Sequence, residues 1–144
     1  MAQKDVENKI PIYKLKTTDE VMKYYDEWGI KNKYDQDMVD WDYTGPKETV
    51  ATFIKYAKDK NIKILDAGCG TGLVGIELKK YNYLNIDGMD LSKKLLDLVP
   101  QGYYQNLNQV DLNIPIKIKN DTYDAIMCVG TFTYGHVRPH ALDE

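Results

Sequence analysis

Residues 62–75 read IKILDAGCGTGLVG, and the fold turns on how this stretch is parsed. A short apolar run over 62–65 closes on an acid, Asp66, and glycines then occupy alternate positions, Gly68, Gly70 and Gly72. Leu73, Val74, Ile76 and Leu78 begin an amphipathic pattern, so the order is strand, glycine turn, helix. Such a turn lets backbone approach a ligand closely. It also aims the first amides of the helix, with their partial positive charge, at an anionic group.

Downstream, a second strand is expected over 84–89, ending at Asp90. Ser92 then caps a short helix with Leu95, Leu96 and Val99 inward, and Pro100 closes it. A third strand is expected within 104–110, ending at Asp111, beside a pair of tyrosines, Tyr103 and Tyr104. Residues 124–130, DAIMCVG, form an almost unbroken apolar run, the pattern of a strand buried on both faces in the middle of a parallel sheet. Alternating strands and helices predict an α/β doubly wound fold, with ligands at the carboxyl ends of the strands.

Upstream, Gly45-Pro46 opens a helix with an apolar stripe of Val50, Phe53, Ile54 and Ala57, with Asn61 as its expected end. Further back, Thr17-Thr18-Asp19-Glu20 fits a capping box, and Val21, Tyr24, Tyr25 and Trp28 follow at helical spacing before Gly29. Residues 31–43, KNKYDQDMVDWDY, read as solvated acids between aromatic anchors. A calcium loop fails there, because Val39 stands where an oxygen ligand is needed and the turn glycine is absent. The expected organisation is a loose arm over 1–16, a helical cap or lid over 17–60, and the α/β core over 61–144.

Composition narrows the function. Nineteen Lys and Arg against 22 Asp and Glu leave a net charge of -3, so no basic field argues for nucleic acid. The N-terminal MAQKDVENK is too charged for a secretory signal, and no apolar run is long enough to span a bilayer. Cys69 and Cys128 lack metal spacing and predict small buried side chains; neither a metal nor a disulfide is expected, and a reducing, cytoplasmic compartment is the default.

Three ligand classes use such a glycine turn. A nucleoside-triphosphate loop requires Gly-Lys-Ser/Thr at the helix start, and here Leu73 follows Gly72. A dinucleotide fingerprint, GxGxxG, does occur at Gly70 to Gly75 with Asp90 about twenty residues on, which leaves an NAD-type oxidoreductase as an alternative. Its first glycine belongs directly after the strand, however, where Gly68 stands, and counting from Gly68 puts Leu73 at the third glycine. Close packing of helix on strand then accounts for Gly75.

The third class is S-adenosylmethionine. DAGCGTG resembles the first motif of class I methyltransferases, and Asp90 in GMDLS, Asp111 in VDLN and a TYDAI fourth strand follow at the family's spacing. The span 25–144 also resembles the methyltransferase-like proteins named for the Williams–Beuren region, through YDEWGIKNKYDQD and CVGTFTYGHV. The resemblance implies a Rossmann-like sheet of strand order 3-2-1-4-5-7-6 and S-adenosylmethionine as cofactor. It implies that Asp66 meets the cofactor ammonium, directly or through water, and that backbone from Gly68 through Cys69 and Gly70 to Gly72 meets its carboxylate. Asp90 would hold the ribose hydroxyls and Asp111 the adenine amino group, with Leu91 or Leu112 over the ring and Gly130 beside the site.

Tyr25, Trp28, Tyr34 and Trp41 are candidates for a lid over a small-molecule or protein acceptor, with plain helix packing as the other reading. Tyr134 and His136 are candidate bases, His136 alternatively lying on the surface at a helix start. RPHALDE, residues 138–144, looks like the opening of a further helix, and four of the family's seven strands are accounted for. The expectation is a C-terminally truncated chain whose fourth strand is an apolar edge unless a partner or the N-terminal arm covers it, with weak or absent turnover. A non-catalytic cofactor-binding or interaction module is the remaining alternative.

Overall fold

The computed structural model describes residues 14–133 and 136–143. Most of the expected arm and the candidate base Tyr134 therefore lie outside the described residues. Three helices come first, α1 (Thr18–Trp28), α2 (Lys33–Asp40) and α3 (Gly45–Tyr56). The core follows as β1 (Ile64–Ala67), α4 (Leu73–Lys80), β2 (Ile86–Asp90), α5 (Lys93–Leu98), β3 (Asn106–Gln109) and β4 (Ala125–Met127). The four strands form one parallel sheet in the order β3-β2-β1-β4, the doubly wound arrangement that the resemblance implies.

Local chemistry sets these boundaries. Thr17 Oγ1 accepts from the Glu20 N–H while Glu20 Oε2 accepts from the Thr17 N–H, so the expected capping box opens α1. Pro46 sits in the first turn of α3, where a missing N–H is harmless. Ser92 Oγ accepts from the Leu95 N–H and caps α5. All four residues of β1 are buried and alternate between two apolar layers. Ile64 joins Val50, Val74, Leu78, Tyr83 and Ile86 under α3 and α4. Leu65 and Ala67 join Met89 and Leu112 on the opposite face. Each fully buried Leu or Ile in these layers contributes roughly 1.5–3 kcal/mol.

A polar knot ties the amino ends of the strands, opposite the expected site. Asp87 accepts from Asn106 Nδ2 at 2.8 Å and from the Tyr123 hydroxyl at 3.0 Å, and pairs with Lys63 Nζ at 3.3 Å. Burial alone would raise the Asp87 carboxyl, but these donors hold it below its ordinary range.

Several expectations are corrected. Residues 33–40, read as solvated acids between aromatic anchors, form α2, where Asp37 is not simply solvated but accepts from Trp28 Nε1 at 2.6 Å, and Gln36 and Asp40 pair one turn apart. The helix at Pro46 ends at Tyr56, short of Asn61. Residues 139–143 form a 3-10 turn rather than an α-helix. Among the described residues β4 is the apolar edge expected of a four-stranded sheet, so its run is not buried on both faces and Ile126 is 65% exposed. Also among the described residues, no helix is long and apolar enough to cross a membrane, and no three His, Cys, Asp or Glu side chains gather at metal-binding distance.

Candidate functional site

At the carboxyl ends of the strands lies a cavity of about 670 Å³, within the range of small-molecule sites. It is walled by the glycine loop, the exits of β2 and β3, the segment after β4, and the faces of α1 to α3 that cover the sheet edge. Of the residues singled out in the sequence, Gly68, Cys69, Gly70, Asp90, Leu91, Asp111, Leu112 and Gly130 line it, as do Tyr25, Tyr34 and His136. Asp66, Gly72, Trp28 and Trp41 do not. Trp28 is turned into an aromatic cluster with Tyr24, Tyr25, Tyr34 and Trp41, and Trp41 is half exposed.

The loop's own hydrogen bonds decide which donors remain. The Gly68 and Cys69 amides both donate to Met89 O, that of Gly70 to Asp90 Oδ2 at 2.8 Å, and that of Gly72 to Cys69 O. Among the described residues, the Thr71, Leu73 and Val74 N–H groups have no acceptor, and all three residues line the cavity. The amides left without an acceptor thus sit at the helix start, whereas those of Gly68, Cys69, Gly70 and Gly72 are taken up by Met89 O, Asp90 Oδ2 and Cys69 O. Gly68 has φ +79°, and a Cβ there would lie 2.3 Å from Thr131 Oγ1, so backbone strain and space both require glycine.

Two acids stand at different depths. Asp66 is fully buried; its Oδ2 accepts from the Tyr104 hydroxyl at 2.6 Å, and its Oδ1 has no partner among the described residues. Burial pushes its carboxyl up to about 7, with the Tyr104 hydrogen bond opposing the rise and the charge of Asp90 adding to it. Asp90 lines the cavity and accepts from the Ser92 and Gly70 amides. Burial raises its carboxyl too, against those backbone donors. Asp111 Oδ1 accepts from the Asn113 N–H in a local turn. Cys69 is a buried free thiol, pushed far up by desolvation, and behaves as a small apolar side chain.

His136 is half buried rather than placed on the surface. Its Nε2 lies 2.6 Å from the Tyr25 hydroxyl and its Nδ1 2.6 Å from Thr133 Oγ1. Sequence reasoning missed Thr71, Tyr43, Thr131 and Asn113. Thr71 Oγ1 donates to Asp35 Oδ1 at 2.5 Å, joining α2 to the glycine loop. The Asn113 side chain bonds His136 O and the Arg138 N–H. Neither polar contact has a local sequence pattern, although Thr71 lies within the glycine motif itself.

A parallel sheet with a glycine loop after its first strand, and acids at the next two strand exits around one cleft, defines a Rossmann-like α/β domain with a cofactor-sized site. Residues 64–144 match the family model described as a methyltransferase domain, and the chain belongs to that family. It is 33% identical to human methyltransferase-like protein 27 over 125 residues, 84% of this chain and 50% of that one. It is 35% identical over 85 residues to malonyl-[acyl-carrier protein] O-methyltransferase of Halalkalibacterium halodurans, 54% of this chain and 31% of the relative. The chain thus spans half or less of the length of these curated relatives. Among solved structures, magnesium protoporphyrin IX methyltransferase from Synechocystis PCC 6803 with bound SAH superposes with a TM-score of 0.58 at 20% identity, covering 77% of this chain and 57% of that one. The resemblance to class I methyltransferases is thereby borne out.

Proposed function

We propose that the carboxyl-edge cavity binds S-adenosylmethionine and serves methyl transfer to a small-molecule or protein acceptor. The observation that carries this reading is one cleft that joins acceptor-less amides of a helix start to a carboxyl-lined wall, beside a buried carboxylate with an orphan oxygen. These groups fit the cofactor's amino-acid end: the Thr71, Leu73 and Val74 amides suit its carboxylate, and Asp66 Oδ1 suits its ammonium through a bridging water. Asp90 keeps lone pairs free for ribose hydroxyls, and Asp111 does so for the adenine amino group between Leu91 and Leu112. The bound cofactor supplies a methyl group already activated on a sulfonium.

The chain's task is then to align and to exclude water, where positioning alone contributes roughly 7–11 kcal/mol. Residues 17–60 act in this reading as the cap, with Tyr25 and Tyr34 facing the acceptor end. The pairing of Tyr25 with His136 gives an acceptor O–H or N–H a route for its proton, and His136 is the candidate base. The exposure of Ile126 favours a second reading, in which β4 needs a covering partner or segment before turnover is efficient, and the chain alone is a cofactor-binding module. Calorimetry with S-adenosylhomocysteine and NAD tests the first: the former is expected to bind and NAD to give no heat. Binding of NAD alone would overturn it.

A further inference from the structure

Three glycines and one carboxylate converge on a side chain that the proposed function leaves unused. Tyr104 precedes β3, and its ring crosses β2 to reach the end of β1 and the start of α4. A Cβ at Gly75 would lie 2.4 Å from its Cζ, one at Gly88 3.0 Å from its Cδ1, and one at Gly72 3.1 Å from its Cε2. Gly88 is the register partner of Asp66, so the ring occupies the space beside the carboxylate that a larger residue on β2 would fill. The hydroxyl donates to Asp66 Oδ2 at 2.6 Å and accepts from the Gly75 N–H at 3.0 Å. Gly75, which the sequence assigns to helix-on-strand packing, is instead the berth for this ring.

Resting on the methyl-donor reading above, we propose that Tyr104 is a positioning residue for the cofactor: its hydroxyl bridges Asp66 and the first turn of α4, fixing the ammonium-binding carboxylate and the carboxylate-binding amides relative to each other. The two halves of the amino-acid subsite come from different elements, β1 and α4, and this bridge joins them directly. Burial and the neighbouring Asp66 push the Tyr104 hydroxyl far up, so it stays a proton donor throughout the working range. The other titratable groups whose charge bears on Asp66 and Tyr104 are Asp90 at the end of β2 and the Cys69 thiol in the loop.

Tyr104→Phe keeps the ring in its berth and deletes only the bridge. Losing a donor to the charged form favours the neutral carboxyl, so the Asp66 midpoint is expected to rise by about one pH unit in ligand-free protein, read from its carboxyl ¹³C shift. S-adenosylhomocysteine affinity at pH 7 is expected to fall about fivefold and to recover as the pH is raised. In an Asp66→Asn background the same substitution is expected to change affinity much less, which a packing role would not produce and which a merely unfolded variant would not show. An unchanged Asp66 midpoint overturns the proposal, as does a raised midpoint with unaltered affinity. Failure of the wild-type chain to bind S-adenosylhomocysteine would instead overturn the methyl-donor reading and the cofactor half of this proposal, while the carboxyl titration still decides whether Tyr104 governs Asp66.

Discussion

Asp66 is held at a cost, and the cost has a sign that can be measured. Its carboxyl is raised from an ordinary 3.8 to about 7 by burial, so between those values the folded chain binds a proton that the unfolded chain has released. Stability without ligand therefore falls as pH rises through that window and is flat above it. The contribution is on the order of a few kcal/mol. Asp66→Asn mimics the protonated side chain, so its melting temperature is expected to change little from pH 5 to 7.5 while the wild type's falls. At pH 7.5 the variant should be the more stable of the two and the weaker binder of S-adenosylhomocysteine. A parallel pH dependence in both proteins would show that Asp66 is not the titrating group. Burying a carboxylate that its neighbours leave half satisfied is the kind of strain that a ligand cation relieves.

Between elements, short polar contacts fasten the N-terminal helices to the core. Asp26 of α1 accepts from Ser92 Oγ at 2.5 Å and from the Lys94 N–H at 3.3 Å, at the start of α5. A carboxylate there complements the helix N-terminus and orients its cap, so Asp26→Ala is expected to cost about 1 kcal/mol. Hydrogen exchange should quicken in α1 and α5 and stay unchanged in β1 and β2; equal quickening everywhere would mean that the contact only supports the fold as a whole. Elements fixed by local chemistry are legible in the sequence: the capping box of α1, Pro46 in α3, Ser92 before α5 and the glycine turn after β1. Helix α2 was not, because Lys33, Asp35, Asp37 and Asp40 break any apolar stripe. Besides the local pairs Lys33–Asp37 and Gln36–Asp40, it is held by partners outside the helix, Trp28 for Asp37 and Thr71 for Asp35. The site divides the same way. The loop, Asp90 and Asp111 are written next to strand ends, whereas the role of Tyr104 requires knowing that β3 lies beside β2.

Across the whole molecule, the sheet is guarded unevenly. Among the described residues both outer strands, β3 and β4, are open on one side, but β3 presents the side-chain amides of Asn106, Asn108 and Gln109 whereas β4 presents an apolar run. Ile126 faces outward there, beside a shallow groove shared with Thr49, Thr52 and Phe53 of α3. An apolar strand with free N–H and C=O groups is a template for another strand, and a net charge of -3 repels copies only weakly. Self-association through this edge is therefore expected on concentration, visible as a rising weight-average mass in sedimentation velocity. Ile126→Lys places a charge where an incoming strand would have to bury it, so the variant should stay monomeric at concentrations where the wild type associates. Because Ile126 lies outside the cavity lining, S-adenosylhomocysteine affinity should be the same in both. If the wild type is monomeric throughout and the lysine changes nothing, the edge does not act as a template. If affinity drops along with association, the cofactor site depends on what covers β4, and turnover would then track occupancy of that edge rather than the residues of the cleft alone.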